Sequence, residues 1–344
     1  MARNNLDSEE AIIAAFWAPL AAGYAGAFGL KDDCAAIAPE PGTDLVVTTD
    51  ALIAGVHFLP DEDPGSVAWK ALAVNVSDLV AKGAEPRAYV MTVALPAAPE
   101  RAWLAAFADG LEAAQEAFGC QLIGGDTDRT PGPLSVSITA FGVVPSGRMV
   151  RRAAARAGDA VYVSGTVGDA ALGLSLRRDP ALAARWQLAA AGVERLEARQ
   201  VRPLPPLRLA PVLVDAASAA MDVSDGLVKD FSRMCSASGV GGTIEAARVP
   251  LSAEARTLVA GGAVALADLL TGGEDYVVLV TVAPERAGQL ERSASAVKTP
   301  VTRIGTIEAG SAVRVIDAAG KDMAFASTGW DHFSASPTPS GERS

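Results

Sequence analysis

The stretch from Lys70 to Pro86, KALAVNVSDLVAKGAEP, sets the terms for the rest of this chain. Its spacing predicts a helix with apolar residues on most faces, starting near a capping Ser66 and stopped by Gly83. One acid, Asp78, sits in its middle, with Asn75 one turn before it and Lys82 one turn after. At spacings of three and four these side chains share a face. An acid embedded in so apolar a helix is costly unless something compensates it. Two readings stay open on this stretch alone: a surface Asp78–Lys82 ion pair, or a carboxylate that holds a ligand.

A chain of 344 residues exceeds what one compact core holds, so two domains are expected. With 50% hydrophobic and 20% charged residues, the composition suits an α/β globule. The net charge is −11 and no Lys/Arg cluster is long enough to track a nucleic-acid backbone, which argues against DNA or RNA as a partner. An acidic site meets a polyphosphate through divalent cations, which carboxylates bind and phosphates bridge. Cys34, Cys120 and Cys235 lack CxxC spacing, so neither a disulfide framework nor a zinc site is expected, and a reducing cytoplasm fits. The Ala-rich run Ala11–Leu30 follows Asp7, Glu9 and Glu10 and is interrupted by Pro19, so it reads as a first helix and not an export signal. No stretch is long and apolar enough to span a membrane.

Short β-branched runs alternate with helical patterns. Strands are expected at Asp44–Thr49 (ending at Asp50), Tyr89–Leu95, Cys120–Ile123 and Leu134–Val144, with a helix at Glu100–Phe118. The pattern predicts a mixed sheet covered by helices, an α/β (α+β) domain over residues 1–150. A basic, Ala-rich crossing from Arg148 to Gly158 leads into a second α/β domain over 151–333. There, strands are expected at Ala160–Ser164, Ala219–Val223 and Tyr276–Val282, and helices from Asp169, after Gly226 and over Ala263–Leu270. The Pro-rich segment Pro203–Pro211 reads as a rigid connector, and the Ser/Pro-rich tail 334–344 as disordered.

The placement of acids carries the chemistry. Asp32 and Asp33 precede a strand-like run, Asp50 and Asp126 end strands, Asp222 and Asp225 flank another strand end, and Glu274–Asp275 follow two glycines. Sites in layered α/β folds are built where strands give way to loops. A single Gly-Asp or Ser-Asp-Gly is ordinary turn chemistry. Their recurrence beside Asp78 points to convergence, and converging carboxylates demand cations, with Mg²⁺ the ion that oxygen donors suit. Only two histidines and no Cys spacing disfavour zinc. GxxxxGK[ST], GxGxxG and GxSxG are all absent. What remains is metal-dependent phosphate chemistry by positioning and charge neutralisation.

The motifs DDCAAI at Asp32, VVTTDALIAGVHF at Val46, KALAVNVSDLVAKGAEP, LIGGDTDR at Leu122, VSGTVGDAALGL at Val163, MDVSDGLVKD at Met221, GGEDYVVL at Gly272 and GWDHF at Gly329 resemble the thiamine-monophosphate kinase family. That family belongs to the superfamily of aminoimidazole ribonucleotide synthetase and selenophosphate synthetase. The motifs run in family order over nearly the whole chain. The resemblance implies direct in-line transfer of the γ-phosphoryl group of ATP to thiamine phosphate, supported by several Mg²⁺ ions, in a homodimer whose N-terminal sheets form a shared barrel. It implies metal ligands at Asp33, Thr48, Thr49, Asp50, Asp78, Asp126, Asp222 and Asp225. It implies nucleotide contacts at Gly125, Asp126, Arg152 and Ser224, and thiamine phosphate contacts at His57, Glu274 and Trp330. The active site is then expected between the domains, with Asp33, Asp50, Asp78 and Asp126 on one side and Asp222 and Asp225 near it.

Taken singly, His57 reads as a satisfied loop histidine, Trp330 as packing and Arg152 as part of a solvated basic linker. Three residues depart from the family pattern: Lys31 for a glycine, Lys82 for a methionine and Asp128 for a threonine. Lys82 could pair with Asp78 and weaken its hold on a second cation. Two rivals are another ATP-using synthetase of the superfamily, which would lack His57 and the GWDHF close, and a non-catalytic protein that binds divalent metal.

Overall fold

A computed structural model describes residues 8–38, 40–97 and 99–331. His332, Phe333 and the tail 334–344 lie outside the described residues. The first half builds a four-stranded mixed sheet from β1 (Thr43–Ile53), β2 (Glu85–Leu95), β3 (Gln121–Arg129) and β4 (Ser135–Pro145), in the order β1-β4-β2-β3. β4 runs antiparallel to both β1 and β2, while β3 lies parallel to β2. The second half builds a six-stranded sheet, ordered β10-β7-β9-β5-β8-β6. Its strands are β5 (Ala160–Ser164), β6 (Ala219–Val223), β7 (Gly241–Glu245), β8 (Val277–Val282), β9 (Val301–Glu308) and β10 (Val313–Ile316).

The predicted N-terminal helix is broken. It comprises the single turn α1 (Glu9–Ile12), a wide turn over Ile13–Trp17 and two tight turns, with Phe28 and Leu30 at positive φ. Pro19 removes a backbone donor there and the glycines loosen the rest, so no continuous helix survives. The helix at the heart of the sequence is α2 (Pro64–Ala81). Its cap is Asp63, not Ser66: the Asp63 carboxylate accepts from the Ser66 amide at 2.8 Å and from its hydroxyl at 2.9 Å. Gly83, at φ +74°, turns the chain out of it.

Every residue of α2 except Pro64, Trp69 and Asp78 is buried. The reason is position. The helix packs against α3 (Arg101–Phe118), against β1, β2 and β4, and against β6 and β8 of the second sheet. A helix apolar all round has no wet face to offer, so enclosure between two sheets is its stable solution. One apolar core therefore joins Val74, Leu79 and Tyr89 with Tyr162, Ala220 and Val280. Each fully buried leucine such as Leu72 or Leu79 contributes roughly 1.5–3 kcal/mol relative to exposure.

The second half carries α4 (Asp169–Arg178), α6 (Ala190–Val201), α8 (Leu227–Ser238) and α10 (Leu266–Thr271), with α5 (Ala181–Arg185), α7 (Ala210–Ala216), α9 (Ala253–Ala260) and α11 (Ala287–Ala296) completing its cover. The Pro-rich connector is shorter than expected, because Pro211 opens α7 within its first turn. Two predicted strand ends also move. Asp50 lies inside β1, paired with Ile138, and Asp126 lies inside β3, paired with Thr92. β4 supplies hydrogen-bond partners along the whole of β1, so the strand runs on through its polar residues.

Candidate active site

α2 presents its few polar side chains to the elements that carry the acids. Asn75 accepts from the Asp50 amide through Oδ1 at 2.9 Å and donates to the Ala71 carbonyl at 2.9 Å, which fixes that stretch of β1 against the helix. Thr48 donates its hydroxyl to Asp78 Oδ2 at 2.5 Å. Ser77 donates to Asp222 Oδ2 at 2.9 Å. Thr48, Asp50, Asp78 and Asp222 thus gather along one helix between the two sheets. Alternation along β1 puts Thr49 on the opposite face, where its hydroxyl donates to the Ile138 carbonyl at 3.1 Å and accepts from Thr139. Its side chain is turned away from Asp50, so only its main chain borders the acids.

Lys82 makes no pair with Asp78. Its ammonium reaches instead to the Ala220 carbonyl on β6, at 2.8 Å. Burial pushes its pKa down; Asp222 and Asp78 pull it up, and the Arg152 guanidinium pushes it down further. Arg152 therefore stands near this edge of the acid group, in an exposed turn.

The electrostatics of the group are unfavourable as it stands. Burial pushes the Asp222 carboxyl well above the usual range, and the Asp78 charge raises it further against the Ser77 hydrogen bond. Asp50 is pushed up to about 6 by burial first and then by the charges of Asp78 and Asp225. Asp50 stays open to solvent, so water tempers the burial part; repulsion from Asp78 and Asp225 is the part a bound cation would remove.

A cavity of ≈ 470 Å³ opens beside this group. It brings together Asp50, His57, Ser224, Asp225, Glu274 and Trp330. His57 Nδ1 accepts from the Ile53 amide at 3.0 Å, which leaves Nε2 as the proton-bearing nitrogen of the neutral ring. The Ser224–Asp225 turn is held from beneath by Asp230 of α8, fully buried, whose Oδ2 accepts both amides at 3.0 and 2.9 Å. Arg233 bridges Asp230 and Asp225, at 2.9 and 2.6 Å. Trp330 docks through its own amide on the Asp225 carbonyl at 2.9 Å, and Lys229 donates to the Trp330 carbonyl. The indole is 46% exposed, so Trp330 is no core residue but a wall of the cavity.

Asp33 and Asp126 border a different cavity, ≈ 410 Å³ in volume, together with Gly125 and Trp17. The Trp17 indole donates to Thr127 at 3.0 Å across its floor. Gly125 has φ +152°, and a Cβ there would sit 1.8 Å from the Met91 carbonyl oxygen, so no other residue fits. The register runs Asp126–Thr92–Ser137–Ala51 across the sheet. Three strand spacings of ~4.8 Å put Asp126 roughly 14 Å from the Asp50 end of β1. The expected gathering of Asp33, Asp50, Asp78 and Asp126 on one side of a single site is therefore corrected: within one chain the acids form two groups. The run after Asp33 joins no strand among the described residues; it covers this cavity, with the Ala36 amide bonded to the Gly26 carbonyl at 2.8 Å. Asp128 is exposed and Lys31 ends a tight turn, so neither departure enters either cavity's polar contacts as described.

Sequence reasoning missed several residues. Lys70 forms a buried ion pair with Glu274 at 2.6 Å, and Arg178 on α4 borders the larger cavity. Ser77 and Gln200 act through partners far away in sequence, a relation no local pattern reveals, while Asp230 holds amides five and six residues before it. Among the described residues no three His, Cys, Asp or Glu side chains already enclose a single metal position, and no helix is long and apolar enough to cross a membrane.

Two mixed sheets around a shared helix, with acids on β1, α2 and β6, define a class. The family model for the N-terminal domain of AIR synthase related proteins matches residues 31–144, and that for the C-terminal domain matches 156–318. The chain is 41% identical over 307 residues to the thiamine-monophosphate kinase of Salmonella typhimurium, covering 89% of this chain and 91% of the relative. The solved thiamine-monophosphate kinase of Stenotrophomonas maltophilia K279a is 39% identical with a TM-score of 0.76, over 86% of this chain and 91% of that one. A structure of AaThiL complexed with AMPPCP and TMP is 33% identical with a TM-score of 0.74, over 86% and 89%. The chain belongs to the thiamine-monophosphate kinase family.

Proposed function

We propose that the protein transfers the γ-phosphoryl group of ATP directly to thiamine phosphate, giving thiamine diphosphate and ADP, in the cytoplasm. The observation that carries this reading is the larger cavity. It sets His57, Glu274 and Trp330 around a space of ≈ 470 Å³, with Asp50, Ser224 and Asp225 on its rim. Trp330 offers an exposed indole on which a cationic thiazolium ring can stack, and Glu274 offers negative charge beside it. The sequence identity to kinases of this name supports the same reading over the sister synthetases, and the solved complex of a relative with AMPPCP and TMP supports the substrate pair.

The residues present fit Mg²⁺. They are hard oxygen donors, and Asp50, Asp78, Asp222 and Asp225 repel one another unless positive charge lies among them. In this reading Asp33, Thr48, Thr49 (by its main chain), Asp50, Asp78, Asp126, Asp222 and Asp225 hold the ions. Mg²⁺ bound there neutralises the phosphates and the charge that develops in transfer. Gly125 lets the main chain approach the nucleotide; Asp126, Arg152 and Ser224 complete its contacts. No side chain is needed as a covalent nucleophile, because the terminal phosphate oxygen of thiamine phosphate is itself the acceptor.

The division of labour follows the two sheets: residues 1–150 carry most of the nucleotide and metal contacts, and 151–333 complete the active site. A homodimer supplies what one chain lacks. Leu45 and Val47 are 50% and 53% exposed on the face of β1 turned away from α2, and β1 and β3 are the two edge strands of their sheet. Closing two such sheets into one barrel sets β1 of one chain beside β3 of the other, which brings the two separated acid groups together. The test of the reaction is purified protein with ATP, Mg²⁺ and thiamine phosphate, with thiamine diphosphate followed by chromatography. Stoichiometric product supports the kinase; ADP released only with a sister enzyme's acceptor would sink it.

A further inference from the structure

Lys70 lies on α2 and is 1% exposed, the deepest charged side chain of the helix. Its ammonium donates to Glu274 Oε1 at 2.6 Å and to the His57 carbonyl at 2.8 Å. One buried cation therefore ties together two of the residues that face the acceptor cavity, one from each half of the chain. The other Glu274 oxygen is held as well: Gln200 Nε2 on α6 donates to Oε2 at 3.0 Å. Gln200 is itself 1% exposed and cannot rotate freely, because Arg177 donates to its Oε1 at 2.8 Å. Arg177 is anchored in turn by Glu62, at 2.7 Å, in the loop just before α2.

We infer that Lys70 and Gln200 are positioning residues that fix the acceptor pocket: they clamp Glu274 and His57 in the orientation that receives the thiamine moiety. The inference rests on the kinase reading above and deepens it. Neither side chain borders the cavity; each reaches it only through Glu274 or His57.

Stability alone does not account for the arrangement. A buried ion pair is commonly no better for stability than well-packed apolar residues, since desolvation offsets the attraction. What it does supply is a defined geometry, and Glu274 requires one. Its φ is +70°, a conformation that a non-glycine residue adopts only under strain. The main chain holds it there: the Glu274 amide donates to the Ser224 carbonyl at 2.7 Å. Gly273 permits the approach, since a Cβ there would lie 2.6 Å from that same carbonyl oxygen. The main chain thus fixes where Glu274 starts, and Lys70 and Gln200 fix where its carboxylate ends. Each of its oxygens keeps a further lone pair, and its side chain, which borders the cavity, is 23% exposed.

The experiment is a double-mutant cycle in the full-length protein, read as separate KM values for thiamine phosphate and ATP. Lys70→Met and Gln200→Leu keep the volume of each side chain and remove its donor. Each is expected to raise the thiamine phosphate KM about tenfold, the loss of one hydrogen bond to a charged group, with the ATP KM within about twofold of wild type. In a Glu274→Gln background Gln200→Leu should add less than about twofold, because its effect passes through that carboxylate, while Lys70→Met keeps the share that passes through the His57 carbonyl. If Lys70→Met does not fold, Gln200→Leu carries the test alone. Equal rises in both KM values, an unchanged thiamine phosphate KM, or full additivity of Gln200→Leu with Glu274→Gln would overturn the positioning role while leaving the kinase reading standing. Wild-type protein that makes no thiamine diphosphate would overturn both.

Discussion

Asp275 follows Glu274 and lies 2% exposed at the start of α4, where it accepts from the Gly168 amide at 2.7 Å and the Ala170 amide at 3.3 Å. Burial pushes its pKa up to about 7 against those two hydrogen bonds, and the neighbouring Asp169 adds to the rise. In the unfolded chain the same group titrates near 3.8. Between those two values the folded protein holds one more proton than the unfolded chain. Stability therefore falls as pH rises through that window, by ~1.4 kcal/mol per pH unit. Over about 3 pH units the group accounts for up to about 4 kcal/mol. Asparagine keeps one acceptor for the Gly168 amide and does not titrate. Urea unfolding of wild type and Asp275→Asn at pH 5, 6 and 7, followed by tryptophan fluorescence, isolates the effect. The difference between the two proteins should move in the variant's favour by about 2.3 kcal/mol from pH 5 to pH 7, the slope easing as the group titrates near 7. A difference constant to within about 0.5 kcal/mol would show that Asp275 is charged throughout and that the reasoning from burial is wrong.

Other outcomes follow from the site. Asp78→Asn should leave the fold and its melting temperature nearly unchanged and lower kcat by about three or more orders of magnitude, since a neutral amide cannot bridge cations; near-normal turnover would show the metal group misplaced. Gly125→Ala drives a methyl to 1.8 Å from the Met91 carbonyl and should cost at least about 2 kcal/mol in chemical unfolding and raise the ATP KM. Leu45→Asp with Val47→Asp should convert a dimer near 70 kDa, twice the 35.0 kDa chain, to monomer by light scattering and abolish turnover; an active monomer would refute the shared barrel.

Much of the fold was legible because its signals are local. The interruption after α2 at Gly83 and the spans of α3, β5, β6 and α8 all follow from periodicity and glycine placement. The ends of β1 and β3 were not, since the pattern stops β1 at Asp50 and β3 at Ile123, before the Gly124–Gly125 pair, while the actual limit is set by pairing with β4 and β2. The broken N-terminal segment reflects Pro19 and the tertiary packing of Trp17 against Phe107, with Phe16 against Trp17, which override an Ala-rich helical propensity. Within the site, the acids were visible as residue types at suggestive places. Their grouping was not, because it depends on strand order and on side chains such as Ser77 and Lys70, whose partners Asp222 and Glu274 lie 145 and 204 residues away. Lys82 shows the limit most plainly: its spacing from Asp78 suits an ion pair, yet the neighbouring sheet offers the Ala220 carbonyl and takes the ammonium away.

The central claim is direct transfer between two bound substrates with no phosphorylated protein intermediate. It is tested by a single turnover with enzyme in excess over γ-³²P-labelled ATP, in Mg²⁺ and thiamine phosphate, quenched in time and resolved into protein, nucleotide and thiamine fractions. The account predicts that label leaves ATP and enters thiamine diphosphate in step, one for one with ADP, and never accumulates on protein. Label that passes through a protein-bound species first, or ADP formed without labelled thiamine diphosphate, would contradict it.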